Sequence, residues 1–189
     1  MIDEYKVYVL ALECGKFYVG ITKEPARRYA EHKSGKGASF TYRYKPICIV
    51  FIRNTHTKYK RNAEQMEQNI TVELMRKYGI ENVRGGDYCQ VSTQQLIDYM
   101  GKKKHEKIVQ AYKSKKFANS YSKIDKVIAG LESGTMKVNR DGTATNVNSK
   151  KSPKSMEDGA ETIPKTKQGC KKKKPKANFW WEDYKRINY

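Results

Sequence analysis

The sequence lacks the features that mark disulfide-rich, membrane-spanning and secreted proteins. Its four cysteines are scattered and form no Cys-x-x-Cys pair, so neither a zinc site nor a disulfide framework is indicated. It has no apolar run of about 18 residues, the length that a transmembrane helix needs. The opening segment MIDEYKVYVL has neither the basic start nor the cleavage site of a signal peptide. We therefore expect an intracellular protein of the nucleus or cytoplasm with no membrane partner.

Negative charge is also scarce. The 189 residues include 39 Lys and Arg against 20 Asp and Glu, a formal net charge of +19. Residues 101–189 hold most of the excess, with 23 basic and 9 acidic side chains. Such a chain favours a polyanionic partner, because each neutralised phosphate releases condensed counterions. DNA is the expected partner, since the sequence has no aromatic ribonucleoprotein motif and no GXXG loop, although RNA stays open as an alternative.

Apolar runs and one helical periodicity predict a small α/β domain in residues 1–90. Three runs rich in β-branched and aromatic residues predict strands, at residues 5–12, 17–21 and 47–52. One helix is predicted within 22–35, where Pro25 suits the first turn, and a longer one over 58–78. The expected architecture is a small central three-stranded, mainly antiparallel sheet flanked by helices.

The rest of the chain is predicted to be a helical extension followed by a basic tail. Apolar residues at helical spacing predict two helices in residues 91–133. Residues 134–189 are rich in Ser, Thr, Lys, Asn and Gly, so we expect this tail to be disordered. Its KKKKPK run, residues 171–176, fits either a nuclear-localisation signal or a DNA tether. The aromatic end, residues 179–189, fits a protein partner's pocket, stacked bases or a patch on its own domain.

Residue types suited to phosphate chemistry follow one another through the first domain. They are two strand tyrosines, an arginine, a glutamate and an asparagine: Tyr8, Tyr18, Arg28, Glu67 and Asn82. In order and spacing, and with Lys6-Val7-Tyr8 and Tyr18-Val19-Gly20 as strand motifs, they resemble the GIY-YIG nuclease family over roughly residues 4–90. The segment YGIENVRGGDY is similar to the ending of family members carried by large DNA viruses.

The resemblance implies a site built around one backbone phosphate. Tyr8 is implied as general base and Tyr18 as a hydrogen-bonding partner of the water or phosphate, with the division of labour between them left open. Because the ordinary pKa of tyrosine is about 10, a Tyr8 phenolate would need a nearby cation such as Arg28 or Lys23. Arg28 offers a guanidinium that can bind the scissile phosphate through two hydrogen bonds. His32 fits either a contact with water or phosphate or a residue on the helix surface.

A metal site is also implied by the resemblance, on the longer helix. Glu67 would hold one Mg²⁺ or Mn²⁺, with water and phosphate oxygens as its other ligands. Glu64, one turn earlier, is the fallback ligand, and without the resemblance both would be interpreted as ordinary surface acids. Asn82 is implied to orient Glu67 or a metal-bound water, although a lone loop asparagine is more often a turn former.

Several cations near the first helix fit a rim that binds the DNA backbone. They are Lys23, Arg27, Lys33, Lys36, Arg43 and Lys45. A run of charge is also typical of a solvated face.

The sequence therefore predicts a metal-dependent endonuclease of the GIY-YIG type acting on DNA. The alternative is a non-catalytic basic DNA-binding protein that retains the domain and binds through residues 101–189.

Overall fold

An antiparallel hairpin forms the centre of the fold in the computed structural model, which describes residues 4–147. β1 (Lys6–Leu12) and β2 (Lys16–Thr22) are joined by a short 3₁₀ turn. Tyr8 lies opposite Gly20, two residues along the strand from Tyr18. Directly paired residues share a face, as do alternate residues of one strand. Both predicted site tyrosines therefore lie on the same face of the sheet.

Two more strands make this a mixed four-stranded sheet, in the order β3, β1, β2, β4. β3 (Pro46–Asn54) is antiparallel to β1, and β4 (Val83–Gly85) is parallel to β2. The α/β prediction is confirmed, with one parallel strand more than expected. The sequence did not indicate β4 because three residues, VRG, are too few to show the alternation of a strand.

Helices cover both faces of the sheet. α1 (Pro25–Lys33) and α2 (Ser39–Arg43) lie on the face of the two tyrosines, where Tyr29 and Phe40 are buried with them. α3 (Lys60–Tyr78) covers the other face and buries an apolar stripe against it. Apart from Asn82, which lies in the turn before β4, the catalytic candidates are consequently carried by the central hairpin and by one helix on each side.

Three helices follow instead of the two predicted. They are α4 (Thr93–Met100), α5 (Lys102–Lys113) and α6 (Ser122–Glu132), with Gly101 at φ 85° ending α4. Leu96, Ile108 and Ile124 are fully buried in the same cluster as the sheet and α3. The three helices of the extension thus complete the core of the first 90 residues. The predicted domain boundaries after residues 90 and 133 stay predictions.

A second, two-stranded hairpin lies in the part of the tail that was predicted to be disordered. β5 (Met136–Val138) pairs with β6 (Ala144–Asn146), and the Ile49 N–H donates to the Gly142 carbonyl at 2.7 Å. The prediction was wrong here because it rested on polar composition, and strands of three residues are too short to show a pattern against it. The predicted features at 171–176 and 179–189 lie outside the described residues. Within residues 4–147, no helix is long and apolar enough to cross a membrane.

Candidate active site

The Tyr8 side chain crosses the neighbouring strand at Gly20. A Cβ at position 20 would lie 2.4 Å from the Tyr8 hydroxyl oxygen and 2.5 Å from Cζ. No side chain larger than hydrogen fits there without moving the phenol. The glycine of the Tyr18-Val19-Gly20 motif is therefore required by the position of a tyrosine on the other strand.

A buried hydrogen-bond chain fixes the direction of the Tyr8 hydroxyl. The Tyr8 oxygen lies 2.8 Å from His32 Nε2, and His32 Nδ1 lies 2.7 Å from the Thr41 hydroxyl. Thr41 donates its own hydrogen to the Ala38 carbonyl at 2.7 Å, so it must accept from Nδ1–H. His32 Nε2 is then without hydrogen and accepts from Tyr8. Of the two alternatives for His32, a residue on the helix surface is excluded, because His32 has no exposed surface.

The pKa values of these groups favour their neutral forms. Burial lowers the pKa of His32 to about 4, helped by the positive charge of Arg28. Burial raises the pKa of the Tyr8 phenol above its ordinary value, and its neighbour Tyr18 adds to the effect. Arg28 acts in the opposite direction on Tyr8 but does not outweigh burial. A standing Tyr8 phenolate, one of the predicted forms of the base, is thus disfavoured.

Tyr18 and Arg28 complete the group on this side of the sheet. The Tyr18 ring centroid lies 5.0 Å from that of His32, and burial raises the pKa of Tyr18 to about 12. Arg28 lies within hydrogen-bonding reach of Tyr8, and its side chain is 32% exposed. Its Nη1 donates to Glu31 at 2.7 Å. Glu31 therefore holds the guanidinium beside Tyr8 while leaving it accessible to solvent.

Glu67 approaches the tyrosines from α3 on the other side of the sheet. Its Oε1 accepts the Gly86 N–H at 3.3 Å, and its negative charge raises the pKa of both Tyr8 and Tyr18. Burial in turn raises the pKa of Glu67 to about 7. The carboxylate borders a polar cleft of about 410 Å³, which Glu64, Gln68 and Asp87 also line. A buried carboxylate that borders such a cleft is suited to a hydrated cation.

Asn82 lies apart from the other candidates. Its side chain accepts from Lys16 Nζ and donates to the Tyr78 carbonyl, each at 2.8 Å. Its position is beside the start of β2, whereas Tyr8 pairs with Gly20 near the end of that strand. The predicted role of Asn82 in orienting Glu67 therefore has no support in its contacts.

The six cations of the predicted rim are all exposed. Lys33 and Lys45 lie over the rings of Tyr29 and Tyr42, at 5.8 and 4.5 Å from the centroids. Arg27 is ion-paired with Glu24 and Glu31 on its own helix. Their contact with DNA stays a prediction.

Sequence reasoning missed two side chains that support the site. Thr41 fixes the His32 tautomer from α2, but its nine-residue separation from His32 carries no periodic signal. Arg84, 1% exposed, donates to the backbone carbonyls of Ile80, Val83 and Gln90. A buried arginine without a carboxylate partner is uncommon, and nothing in the local pattern VRGG indicates it.

Comparison with known proteins identifies the family of the chain. The profile described as the GIY-YIG catalytic domain matches residues 4–78. A UPF0213 protein of Cupriavidus necator is 51% identical over 62 residues, 32% of this chain and 67% of the relative. A UPF0213 protein of Enterococcus faecalis is 38% identical over 60 residues, which are 32% of this chain and 68% of the relative. One from Cupriavidus pinatubonensis is 45% identical over 52 residues, which are 26% of this chain and 58% of the relative.

These relatives are bacterial and their names state no activity, so the likeness to enzymes of large DNA viruses stays a prediction. No solved structure matches. The matched stretch coincides with the part of the chain that carries Tyr8, Tyr18, Arg28, His32 and Glu67. On this evidence the chain belongs to the GIY-YIG family.

Proposed function

We propose that this protein is a metal-dependent endonuclease that hydrolyses phosphodiester bonds of DNA. A GIY-YIG domain implies nuclease activity in general; the finer assignment is supported by the convergence of two phenols, a guanidinium and a carboxylate. The observation that carries it is the buried chain from Tyr8 through His32 to Thr41, next to Arg28 and Glu67. Its intracellular location, nuclear or cytoplasmic, stays a prediction.

The residues around Glu67 fit a single divalent cation. Besides Arg61 and Gly86, the cleft is lined by side chains with carboxylate and amide oxygens, the hard ligands that Mg²⁺ and Mn²⁺ prefer. Among residues 4–147, no three or more His, Cys, Asp or Glu side chains are grouped closely enough to hold an ion by themselves. Glu67 would therefore hold the ion with water as the main other ligand. Bound there, the ion supplies positive charge to the phosphate and to the departing oxygen.

The Tyr8–His32 pair can deprotonate the attacking water without a standing phenolate. Tyr8 donates to His32, so the lone pairs of its oxygen can accept a hydrogen from water. As the water oxygen bonds to phosphorus, its proton passes to Tyr8 and the phenol hydrogen passes to His32 Nε2. The bond from phosphorus to the leaving oxygen breaks, and that oxygen takes a proton from solvent. Neutral His32 is the resting acceptor because burial keeps its pKa at about 4.

Arg28 and Tyr18 are placed to bind the charge that develops on the phosphate. The exposed edge of the Arg28 guanidinium can donate to two phosphate oxygens, which a lysine cannot do in the same geometry. Tyr18 keeps its hydrogen at neutral pH because its pKa is raised to about 12, so it acts as a donor. Both interactions strengthen as negative charge accumulates in the transition state.

The test is cleavage of plasmid, branched and single-stranded DNA with Mg²⁺ or Mn²⁺. We expect Glu67→Gln and Arg28→Lys to lower kcat by at least about a hundredfold. Arg76→Lys is the matched control for Arg28→Lys, since Arg76 is also partly exposed but lies over Phe117 near the end of α3, and it should keep activity. Wild-type protein that cuts none of these substrates would refute the proposal and leave the non-catalytic DNA-binding alternative.

The proton path has its own test at Thr41. Thr41→Val removes the acceptor of His32 Nδ1–H while keeping the shape, so kcat should fall about tenfold to a hundredfold with KM unchanged. Thr41→Ser keeps the hydroxyl and should restore the rate. Equal rates for the valine and serine variants would show that the tautomer of His32 is irrelevant to cleavage.

A further inference from the structure

A concave basic surface lies where α4 meets α5, outside the candidate active site. We name it the α4–α5 corner and define it by Met100–Lys104 and Lys107. It surrounds a hollow of about 390 Å³. Its four lysines, Lys102, Lys103, Lys104 and Lys107, are all exposed. A Cβ at Gly101 would have no atom within 4 Å, so the corner is open to a ligand.

The positive charge of the corner is poorly balanced on its own helix. Residues 102–107 contain four lysines and one acid, Glu106, and the first turn of α5 has no acidic side chain. Lysines near the start of a helix are disfavoured by the positive end of the helix dipole. A bound anion would offset the repulsion among the lysines and the repulsion between the lysines and the helix dipole. The corner is therefore complementary to a polyanion such as a nucleic-acid backbone.

Two tyrosines adjoin these lysines. Lys104 Nζ lies 4.9 Å from the centroid of the buried Tyr88 ring and also donates to its hydroxyl. Tyr99 packs edge-on against Tyr88 with centroids 6.2 Å apart, yet 60% of its surface is exposed. Tyr99 thus adjoins the corner through Tyr88 and Lys104. An exposed ring next to a lysine-rich surface is the combination that binds single strands, since bases stack on the ring while phosphates pair with the cations.

The loop after β4 connects the corner to the candidate active site. Gly86 donates its N–H to Glu67, and Gly85 forms a β-bridge with Tyr88. Tyr88 contacts Lys104 directly. A strand whose scissile phosphate lies between Arg28 and Glu67 can thus continue along this loop to the lysines.

We propose that the α4–α5 corner binds the phosphate backbone of the DNA strand that flanks the cleavage point, with Tyr99 stacking on a base. The site is separate from the six cations predicted around α1 and α2. The position of the strand rests on the proposed nuclease function, whereas binding at the corner requires no cleavage. The two can therefore be tested independently.

The experiment compares two triple variants of the full chain with equal loss of charge. One replaces Lys102, Lys103 and Lys107 by glutamine and keeps Lys104, which packs on Tyr88. The matched control replaces three exposed lysines at and beyond the other end of α5: Lys113, Lys115 and Lys116. Binding of fluorescein-labelled single-stranded DNA is followed by anisotropy without divalent cations over a range of salt concentrations.

We expect the slope of log affinity against log salt to fall by about 2 in the corner variant, and affinity at about 0.1 M salt to fall between tenfold and a hundredfold. The control should stay close to wild type. Equal losses in the two variants would overturn the proposal, because only total charge would then matter. If wild type cuts no DNA but the difference persists, the proposed nuclease function fails and the corner stands.

Stacking is tested by Tyr99→Ala, with Tyr59→Ala, at 75% exposure, as its control. The first should weaken single-strand binding about fivefold or more and leave duplex binding unchanged. The same loss in the Tyr59 variant, or in duplex binding, would contradict a stacked base at Tyr99.

Discussion

The missing Cβ of Gly20 makes room for the phenol of Tyr8, the candidate base. The φ of Gly20 does not lie in the left-handed region, so Gly20→Ala strains no backbone dihedral and acts only through the clash with Tyr8. We expect the substitution to cost about 1–3 kcal/mol of unfolding free energy by overpacking. It should also lower kcat about as much as Tyr8→Phe, because the phenol leaves His32. Urea unfolding and cleavage assays check both effects, and a wild-type rate for Gly20→Ala would contradict this account.

His32 should make the stability of the protein depend on pH. The unfolded chain binds a proton on this residue as the pH falls through its ordinary pKa of 6.5, whereas the folded protein resists protonation until about pH 4. The contribution is therefore complete above pH 6.5 and is lost between pH 6.5 and 4, up to about 3 kcal/mol in total. Unfolding free energies of wild type and His32→Gln, measured across this range, should converge as the pH falls.

The exposed histidine His56 provides the control for that measurement. Carboxylates that titrate in the same range are common to wild type, His32→Gln and His56→Gln, so their contribution cancels when the three proteins are compared. A constant difference between wild type and His32→Gln at every pH would show that the buried imidazole does not titrate as described.

At the scale of elements, Arg84 joins β4 to the start of α4. In addition to the three backbone carbonyls to which it donates, Arg84 donates to Thr93 Oγ1 at 3.2 Å. Its guanidinium lies 5.0 Å from the Phe40 ring centroid. Burial lowers the pKa of Arg84 to about 10, so it stays charged at neutral pH. These contacts position the loop from which Gly86 donates to Glu67.

Arg84→Met should destabilise the protein by about 3 kcal/mol or more, because several buried carbonyls lose their donor. Arg84→Lys should rescue little, since an ammonium cannot reach the same set of acceptors. The control is Arg53→Met at the exposed end of β3. Urea unfolding at neutral pH measures all three, and a change below about 1 kcal/mol for Arg84→Met would show that the loop is held by other contacts.

At the scale of the whole molecule, the helical extension shares one hydrophobic core with the sheet and α3. Ile124 of α6 is fully buried in the cluster that contains Val9 and Ile70. Ile124→Ala should cost about 2–5 kcal/mol, and the described residues should unfold in one transition. Calorimetry compared with denaturant unfolding measures this. An early transition confined to the extension would show that residues 1–90 are stable alone.

This shared core also affects how the alternative function is tested. Deleting residues 101–189 would remove Ile108 and Ile124 as well as the charge, so loss of DNA binding could follow from unfolding. Charge substitutions on the surface avoid that ambiguity. The triple variants of the α4–α5 corner therefore test the non-catalytic DNA-binding alternative as well as the proposed binding site.

Much of the fold could be predicted because it is encoded locally. Runs rich in β-branched and aromatic residues indicated β1, β2 and β3, and Pro25 lies in the first turn of α1, as expected. Short elements could not be predicted, because β4, β5 and β6 have three residues each and depend on their neighbours for pairing. The second helix of the extension was hidden because the sequence around Gly101 is helical on both sides.

The sequence alone determined which residue types reach the site. It predicts the two strands that hold Tyr8 and Tyr18 and the two helices that hold Arg28 and Glu67. Only the tertiary structure decided their chemistry. Burial, which no local pattern specifies, sets the pKa values of His32 and Glu67, and packing between α1 and α2 brings Thr41 to His32. Packing also moves Asn82 away from Glu67, because the register of β4 on β2 places it beside Lys16.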